Sequence, residues 1–393
     1  MEHPLSPPAA FPGVLVIGGG LAATALVAAL RSEGFAGEVT VAGEELPYDR
    51  PPLSKELFSR AEPANLLDQF PSDAATWLTG VRATAVAGRE VTLVDTAGRT
   101  STASAAAVVF AVGARPTVPP GWDGVRTLSS WQDASVLRHL LTPGSHLVVA
   151  GAGWIGLELA SSASFAGVRV TIVEETGRPL GRLVPAEVGR RIASWLGDVD
   201  LVEGRVATAT ATTLGLDDGR EATGDVVVAA LGARPATEWL PAGWLTPGGH
   251  VRTDAAGRIP DAPGMWAIGD CAAGDVGGQH WNAAVSAAQR CAHALLGHEV
   301  PPAPPPTVFS SMFSHQVDLV GRSAPDLTVL WREGDGWTAL LLADDDTLVG
   351  GLAVDRPRDV AALRRALATG TPVVDRQAAA DAGRRLAETL RRR

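Results

Sequence analysis

The feature that most constrains the fold is a glycine-rich strand–turn–helix–strand motif near the start of the chain. Residues 14–17 have the pattern of a buried strand and lead directly into GGGLAA, a GxGxxA turn at residues 18–23. An alanine-rich helix follows, and a second strand ends just before Glu44 and Glu45. In such a βαβ unit the glycines let the backbone approach a pyrophosphate at the helix N-terminus, and the acid accepts from a ribose hydroxyl. The motif predicts a dinucleotide-binding domain.

The same motif occurs a second time. A strand-like run leads into GAGWIG at residues 151–156, and a helix and a strand ending in Glu174 follow. Each copy continues with a hairpin-like stretch, with turns near residues 96–98 and 217–219. An apolar strand that ends in Gly-Ala-Arg-Pro follows, at residues 113–116 and 232–235. An internal repeat of this kind predicts two dinucleotide-binding domains, as a hydride relay from a nicotinamide to a flavin needs. Two Rossmann domains that bind other ligands are the alternative.

The remaining sequence indicates a third, smaller domain. With 393 residues the chain is long enough for two or three domains. Beyond the proline-rich linker at residues 301–306, three strand-like segments, at residues 317–320, 327–331 and 337–342, and one helix at residues 358–368 indicate a small α+β domain. The predicted fold class is therefore α/β, with two Rossmann-like domains in a glutathione-reductase-like arrangement and a C-terminal α+β domain. Residues 384–393 are expected to form an arginine-rich helix or a solvated tail, with a docking surface for an acidic protein as the alternative.

Charge and cysteine content exclude several function classes. The net charge of −10 argues against nucleic acid as a partner. No secretory signal and no apolar run long enough to span a bilayer is visible, so we expect a cytoplasmic protein without a membrane partner. The only cysteines, Cys271 and Cys291, lie in no paired motif. This argues against a disulfide framework, a metal site and a dithiol redox relay.

The acid of the second motif indicates which nicotinamide cofactor binds. An acid at the end of the second strand accepts from the free 2′-hydroxyl of NAD and repels the 2′-phosphate of NADP. Glu174 therefore favours NADH over NADPH, although Arg178 and Arg182 lie close enough in sequence to soften this preference. The residues expected to bind the nicotinamide nucleotide are Gly151, Gly153, Trp154, Ile155, Gly156, Glu174 and Gly232.

One lysine stands out in a chain that otherwise uses arginine. Lys55 is the only lysine, and it closes the segment PYDRPPLSK, which also contains the only tyrosine, Tyr48. Lysine is a compact ammonium whose pKa can be tuned, whereas arginine is a permanently charged planar fork. We infer that this position needs the ammonium; an incidental surface lysine is the alternative.

A third segment suits the other end of a flavin. A short strand ends in Gly-Asp at Asp270, and an alanine-rich helix begins near Trp281 and Asn282. The aspartate can bind ribityl hydroxyls, and the helix N-terminus can face the flavin edge on which negative charge develops. For Asn282 the alternative is a plain helix cap.

These motifs together resemble a known family. VIGGGLAA, PYDRPPLSK, GAGWIGLELA, the GARP turns, AIGDCA and HWNAA are similar to FAD-dependent ferredoxin reductases that serve Rieske-type dioxygenases and bacterial cytochromes P450. These reductases belong to the pyridine nucleotide-disulfide oxidoreductase superfamily but lack its redox disulfide. The similarity extends from about residue 14 to residue 371.

The resemblance implies which segments of the chain bind each cofactor. It implies an FAD-binding domain at residues 13–115 and 245–300, an NADH-binding domain at 116–244, and a C-terminal domain, residues 307–393, that covers the flavin. It also implies that Lys55 and Glu158 form a pair beside the flavin ring and are the catalytic residues. The residues expected to bind FAD are Gly18, Gly20, Ala22, Ala23, Glu44, Glu45, Arg50, Lys55, Gly113, Arg115, Asp270, Trp281 and Asn282.

The predicted reaction is hydride transfer from NADH to FAD, followed by single-electron transfer to a [2Fe–2S] ferredoxin that feeds an oxygenase. A reductase of a quinone or radical acceptor and a flavin redox sensor are the alternatives. The chain departs from the family pattern at residues 127–129 (TLS), where the family has arginine in place of Ser129, and at residues 313–316 (FSHQ), where it has tryptophan in place of Phe313. The gap between the acids after the second strand and Pro47 is also shorter than usual.

Overall fold

The structure, a computed structural model, describes residues 13–70, 75–274, 280–370, 372–381 and 383–391. Its helices are α1 Leu21–Ser32, α2 Pro52–Lys55, α3 Trp131–Leu140, α4 Trp154–Phe165, α5 Ala186–Ala193, α6 Trp281–Leu296, α7 Pro357–Ala368 and α8 Arg376–Ala380. Short 3₁₀ turns lie at Leu66–Asp68, Ala242–Trp244, Gly269–Cys271 and Leu386–Glu388. None of the helices in these ranges combines the length and the apolar character needed to cross a bilayer.

The strands are short and numerous. In the first half of the chain they are β1 Gly13–Ile17, β2 Glu38–Ala42, β3 Thr76–Leu78, β4 Val81–Ala87, β5 Glu90–Asp95, β6 Thr100–Ser104, β7 Ala107–Phe110, β8 Ala114–Pro116, β9 His146–Ala150, β10 Arg169–Glu174, β11 Asp200–Glu203 and β12 Val206–Ala209. In the second half they are β13 Thr213–Leu216, β14 Glu221–Thr223, β15 Val226–Ala229, β16 Ala233–Pro235, β17 Met265–Ala267, β18 Thr307–Met312, β19 His315–Gly321, β20 Thr328–Gly334, β21 Gly336–Leu342, β22 Leu348–Val354, β23 Val373–Val374 and β24 Leu390–Arg391.

The chain divides into two compact units, each built from discontinuous segments. Unit 1 consists of the described residues within Met1–Asp49, Pro63–Arg115 and Arg234–Pro306. Unit 2 consists of those within Arg50–Glu62, Pro116–Ala233 and Thr307–Arg393. The chain passes between the units five times, and two of these passages lie in β8 and β16, within the two Gly-Ala-Arg-Pro segments.

Unit 1 contains the first predicted nucleotide-binding fold. Its five-stranded sheet has the order β17-β7-β1-β2-β3, and every neighbouring pair is parallel. Both faces are covered, which is why strands such as β7 are apolar throughout. Helices α1 and α6 pack in one apolar cluster with this sheet. The predicted hairpin near residues 96–98 joins β5 to β6 in a separate antiparallel sheet, β4-β5-β6.

Unit 2 contains the second nucleotide-binding fold. Its four-stranded parallel sheet has the order β11-β10-β9-β15, and α4 leads directly out of the glycine turn after β9. The hairpin predicted near residues 217–219 joins β13 to β14 in the antiparallel sheet β12-β13-β14. The predicted repeat of two Rossmann-like folds is thus confirmed.

Unit 2 also contains the predicted C-terminal α+β fold. Its sheet is antiparallel, in the order β18-β19-β22-β21-β20, and α7 packs against it. Three strands and the helix were predicted, whereas β18 and β22 were not. Strand β22, LVGGLAV, is buried at every position, so it lacks the alternation of polar and apolar residues that marks a half-buried strand.

The prediction for the C-terminal tail was wrong for its described part. Within residues 384–391, Leu386–Glu388 form a 3₁₀ turn and Leu390–Arg391 form β24, which pairs with β23; α8 lies ahead of this segment. The side chain of Arg332, only 1% exposed, anchors this segment and the end of α8 by donating to the carbonyl oxygens of Ala379, Asp381 and Arg384 and by an ion pair with Asp359. Arginine can do this because its five N–H groups point in several directions. The last two arginines, residues 392 and 393, lie outside the described residues.

Replacing Arg332 with alanine is expected to lower the free energy of unfolding by about 3–5 kcal/mol, because Asp359 and several carbonyl groups would lose a buried partner. Urea unfolding measures this loss, and the exposed Arg322→Ala is the matched control, with a change of less than about 0.5 kcal/mol. A loss below about 1 kcal/mol in Arg332→Ala would contradict the anchoring role.

Candidate cofactor-binding and active site

The glycine turn of unit 1 has the shape that a nucleotide phosphate needs. Gly18 has φ +107°, and a Cβ at this position would lie 2.2 Å from the Ala111 oxygen, so no other residue fits. Gly20 is the N-cap of α1 and has no side chain with which to cap the first-turn amides. A Cβ on Gly20 would meet nothing within 4 Å, which leaves open space above the helix N-terminus. The turn therefore fits the pyrophosphate of a dinucleotide.

Four loops of unit 1 meet at one edge of its sheet, because the carboxyl ends of parallel strands lie together. They follow β1, β2, β7 and β17 and contain six of the eleven residues of this unit that are predicted to bind FAD. These six are Gly18, Gly20, Glu44, Glu45, Gly113 and Asp270. Ala22 and Ala23 follow in the first turn of α1 with buried side chains. A Cβ on Gly269 would lie 2.9 Å from the Ala22 Cβ, so these small residues let the Asp270 turn approach α1.

The acids after β2 are exposed, as a role in binding ribose requires. Glu44 and Glu45 both lie on the surface, and the Glu45 carboxylate accepts a hydrogen bond from the Tyr48 hydroxyl at 2.9 Å. The only tyrosine of the chain thus fixes one of the two predicted acids. Arg115, at the end of unit 1, is exposed and pairs with Glu238 at 2.6 Å.

The side chain of Trp281, the first residue of α6, fixes the start of this helix. Trp281 donates from Nε1 to the Asp49 carboxylate at 3.0 Å, and its ring centroid lies 5.9 Å from that of Phe70. Asn282 is half-buried in the first turn of the helix. The N-cap residue is His280, so the alternative of Asn282 as the helix cap was wrong.

The glycine turn of unit 2 has the same construction. Gly151 has φ +103°, and a Cβ on Gly156 would lie 2.1 Å from the Gly151 oxygen. Both positions therefore require glycine for the close packing of α4 on the turn. Gly153 is the N-cap of α4, with nothing within 4 Å of its Cβ position, so this turn also fits a pyrophosphate.

The residues beside this turn are at least partly exposed to solvent. Trp154 is half-buried, Ile155 is 44% exposed, and Gly232 is exposed with φ +84°. All three lie at or after the carboxyl ends of strands in the parallel sheet, as predicted nucleotide contacts should.

The acid of the second motif is fixed in place. The Glu174 carboxylate accepts from the Ala152 amide of the glycine turn at 2.9 Å and from the amide and hydroxyl of Thr176 at 3.1 and 3.0 Å. It therefore lies at the carboxyl end of β10, directly beside the turn that would hold a pyrophosphate.

The two arginines near Glu174 differ in their contacts. Arg182 pairs with the neighbouring acid, Glu175. The Nε atom of Arg178 is buried and has no hydrogen-bond partner among the residues that the structure describes. Arg182 is thus engaged with an acid, whereas the effect of Arg178 on cofactor choice stays a prediction.

The unique lysine and Glu158 form an ion pair, as the resemblance implied. Lys55 is the last residue of α2, a single turn that begins at two prolines, and its Nζ lies 3.6 Å from the Glu158 Oε1. Glu158 lies in α4, shortly after the glycine turn, and is 4% exposed. The Lys55 Nζ also lies 3.5 Å from the Phe309 carbonyl oxygen and 4.4 Å from the centroid of its ring.

Two serine hydroxyls complete the surroundings of this carboxylate. Ser54 donates to Oε2 at 2.5 Å, and Ser310 of β18 donates to Oε1 at 2.6 Å. Burial raises the pKa of Glu158, while the Lys55 charge and then the bonds from Ser310 and Ser54 oppose this rise. The sequence analysis did not identify Ser54, Phe309 or Ser310 as functional residues. Of the three, only Ser54 had a signal in the sequence, because it directly precedes Lys55.

The first departure from the family pattern has a structural role of its own. Ser129 accepts a hydrogen bond from Arg50 through its carbonyl oxygen, and its hydroxyl donates to Asp133 at 3.1 Å. Ser130 then caps α3 in a capping box with Asp133. Arg50 is thus tied to the start of α3, within the same unit as Lys55.

The second departure forms the tight turn between β18 and β19. Phe313 and Ser314 adopt φ values of +49° and +65°. The Phe313 ring is buried, and its amide donates to the Ser161 hydroxyl of α4 at 2.7 Å. His315 pairs with Asp355 at 2.7 Å. The turn therefore attaches the C-terminal sheet to the helix that carries Glu158.

Neither cysteine is placed for redox chemistry. Both are fully buried. Burial raises the pKa of Cys271 to about 11 and raises that of Cys291 still further, so both thiols stay protonated and unreactive near neutral pH.

Comparison with known proteins agrees with this geometry. Residues 12–288 match the pyridine nucleotide-disulphide oxidoreductase family, and residues 308–390 match the reductase C-terminal family. The chain is 31% identical to the ferredoxin–NAD(+) reductase subunit of the benzene 1,2-dioxygenase system of Pseudomonas putida, over 96% of this chain and 97% of that protein. It is 30% identical to rhodocoxin reductase of Rhodococcus erythropolis, over 93% and 92% of the two chains.

A solved structure shows the same fold throughout. The crystal structure of Fdr9 superposes with a TM-score of 0.86 and 33% sequence identity, covering 95% of this chain and 99% of that one. The resemblance stated from the sequence motifs is thereby confirmed. The chain belongs to the pyridine nucleotide-disulphide oxidoreductase family and carries a reductase C-terminal domain.

Proposed function

We propose that this protein is an FAD-dependent NADH:ferredoxin oxidoreductase. The observation that carries the proposal is the pair of glycine turns, one in each unit, each shaped for a pyrophosphate and each followed by a strand that ends beside an acid. Two nucleotide turns without a reactive thiol suit a relay in which both redox partners are bound cofactors.

The domains and contacts follow from this proposal. Residues 13–115 and 245–300 bind FAD, residues 116–244 bind NADH, and residues 307–393 form the C-terminal domain. In unit 1, the residues proposed to hold FAD are those of the glycine turn, Asp270 and the start of α6. FAD, when bound, supplies the chemistry of accepting a hydride and releasing electrons one at a time.

Lys55 and Glu158 form a pair of opposite charges that is largely buried from solvent. The ammonium donates toward the carboxylate and the Phe309 carbonyl, so its position is fixed from two sides. Its positive charge favours negative charge that develops close to it, while Glu158 keeps the pair neutral overall. Ser54 and Ser310 orient the carboxylate and limit its motion.

Glu174 accounts for the choice of NADH. Its carboxylate is fixed beside the nucleotide turn by the Ala152 amide, where it accepts from a ribose 2′-hydroxyl and repels a 2′-phosphate.

The electron acceptor we propose is a [2Fe–2S] ferredoxin that feeds an oxygenase. Support comes from relatives that match over nearly the whole chain, such as the ferredoxin–NAD(+) reductase subunit of the benzene 1,2-dioxygenase system. We also propose that the protein acts in the cytoplasm.

Anaerobic stopped-flow tests the proposed reaction. FAD-loaded protein mixed with NADH should lose its flavin absorbance rapidly, and a [2Fe–2S] ferredoxin of a dioxygenase system, added next, should restore it. Mixing with a quinone in place of ferredoxin is the control. Absence of bleaching would overturn the hydride relay, and reoxidation by the quinone but by no ferredoxin would point to a small-molecule reductase.

Replacing Glu174 with glutamine is expected to reduce the ratio of kcat/KM for NADH to that for NADPH by about tenfold, equivalent to about 1.4 kcal/mol. The amide keeps an oxygen for the Ala152 amide but removes the charge that repels a 2′-phosphate. Asp198→Asn, at an exposed acid just before β11 and so at the opposite, amino end of the parallel strands, should leave the ratio unchanged. An equal shift in both variants, or in neither, would refute the assignment.

A further inference from the structure

Two histidines and a glutamate meet at the C-terminal ends of α1 and α6 in unit 1. Glu33 is the C-cap residue of α1, His293 lies in the last turn of α6, and His298 follows Gly297, which ends α6 with φ +72°. The Nε2 of His293, the Nδ1 of His298 and the Glu33 carboxylate oxygens lie within 4.8 Å of one another. Neither the proposed flavin site nor the nucleotide turns use these residues.

A backbone hydrogen bond fixes how His293 presents its ring. Its Nδ1 lies 2.8 Å from the carbonyl oxygen of Glu299, and because a carbonyl only accepts, Nδ1 carries the proton. In the neutral imidazole the lone pair is then on Nε2, 3.4 Å from the Glu33 Oε1. Two acceptors that face each other need a proton or a cation between them. Histidines that bind metals are commonly oriented by such a bond from their other nitrogen.

The spacing of the three groups suits a small divalent cation. For bonds of about 2.0–2.1 Å at tetrahedral angles, ligand atoms lie about 3.3–3.4 Å apart. The His293 Nε2 lies 3.4 Å from the Glu33 Oε1, and the His298 Nδ1 lies 3.2 Å from the Glu33 Oε2, so each nitrogen faces one oxygen of the carboxylate at about this spacing. The three side chains are between 27% and 44% exposed, so a cation can enter and a water molecule can complete the coordination.

We propose that Glu33, His293 and His298 form a Zn²⁺ site that ties the C-terminal end of α1 to that of α6. Two imidazole nitrogens and one carboxylate are ligands that Zn²⁺ accepts readily. The ion stabilises the folded chain because the three ligands are assembled only when both helices are packed. A protonated histidine–glutamate ion pair without metal is the competing arrangement.

The test is calorimetric titration of the full-length, tag-free, FAD-loaded protein with Zn²⁺, after chelator treatment and at slightly alkaline pH, where histidine is mostly neutral. We expect one Zn²⁺ per chain. His298→Ala and Glu33→Gln should each weaken binding at least about tenfold. The control His139→Ala removes an exposed histidine of α3 whose Nδ1 also contacts a backbone carbonyl, and it should bind like the parent.

Thermal unfolding gives a second readout that does not depend on the redox reaction. Zn²⁺ should raise the melting temperature of the parent and of His139→Ala, but not that of the two site variants, whose melting temperatures without metal show that they are folded. Co²⁺ in place of Zn²⁺ should give the visible absorption bands of a tetrahedral site. Failure of the parent to bind stoichiometrically, or equal binding by the site variants, would overturn the proposal.

Discussion

The ion pair between Lys55 and Glu158 is the contact on which the proposed active site depends. A carboxylate that is 4% exposed has lost most of its hydration, at a cost of several kcal/mol. Lys55, Ser54 and Ser310 offset this cost together, and they come from α2 and β18, while the acid comes from α4. Three segments of unit 2 that are distant in sequence are therefore positioned by one buried charge.

This arrangement gives a physical reason for the single lysine in a chain that otherwise uses arginine. Loss of either partner would leave an uncompensated charge beside apolar groups such as the Phe309 ring. A guanidinium is wider and planar, and it does not replace a compact ammonium between a carboxylate and a ring face. Helix α4 begins at the glycine turn and carries Glu158 soon afterwards, so one rigid element positions both the proposed nucleotide contact and the ion pair.

The sequence predicted what depends on local patterns and missed what depends on distant contacts. The two glycine turns, their helices and the hairpins are marked by short sequence patterns. Gly18 and Gly151, for example, adopt positive φ values, which only glycine does without strain. Strand β22 lacked alternation because both of its faces are buried. Ser310 gave no signal, because only the fold brings it to Glu158. The prediction of a solvated tail failed because distant contacts hold this segment: the buried Arg332 donates to the Arg384 carbonyl oxygen, and β24 pairs with β23.

The most direct test of this account is a double-mutant cycle on the rate of flavin reduction by NADH, with Lys55→Met, Glu158→Gln and the double variant compared at equal FAD content. The account predicts a coupling of at least about 1.4 kcal/mol, so that the double variant is little slower than the slower single variant. The partly exposed pair Glu56 and Arg60, tested with Glu56→Gln and Arg60→Met, should show a coupling below about 0.5 kcal/mol. Rate losses that simply multiply for Lys55 and Glu158 would contradict the claim that they act as one unit.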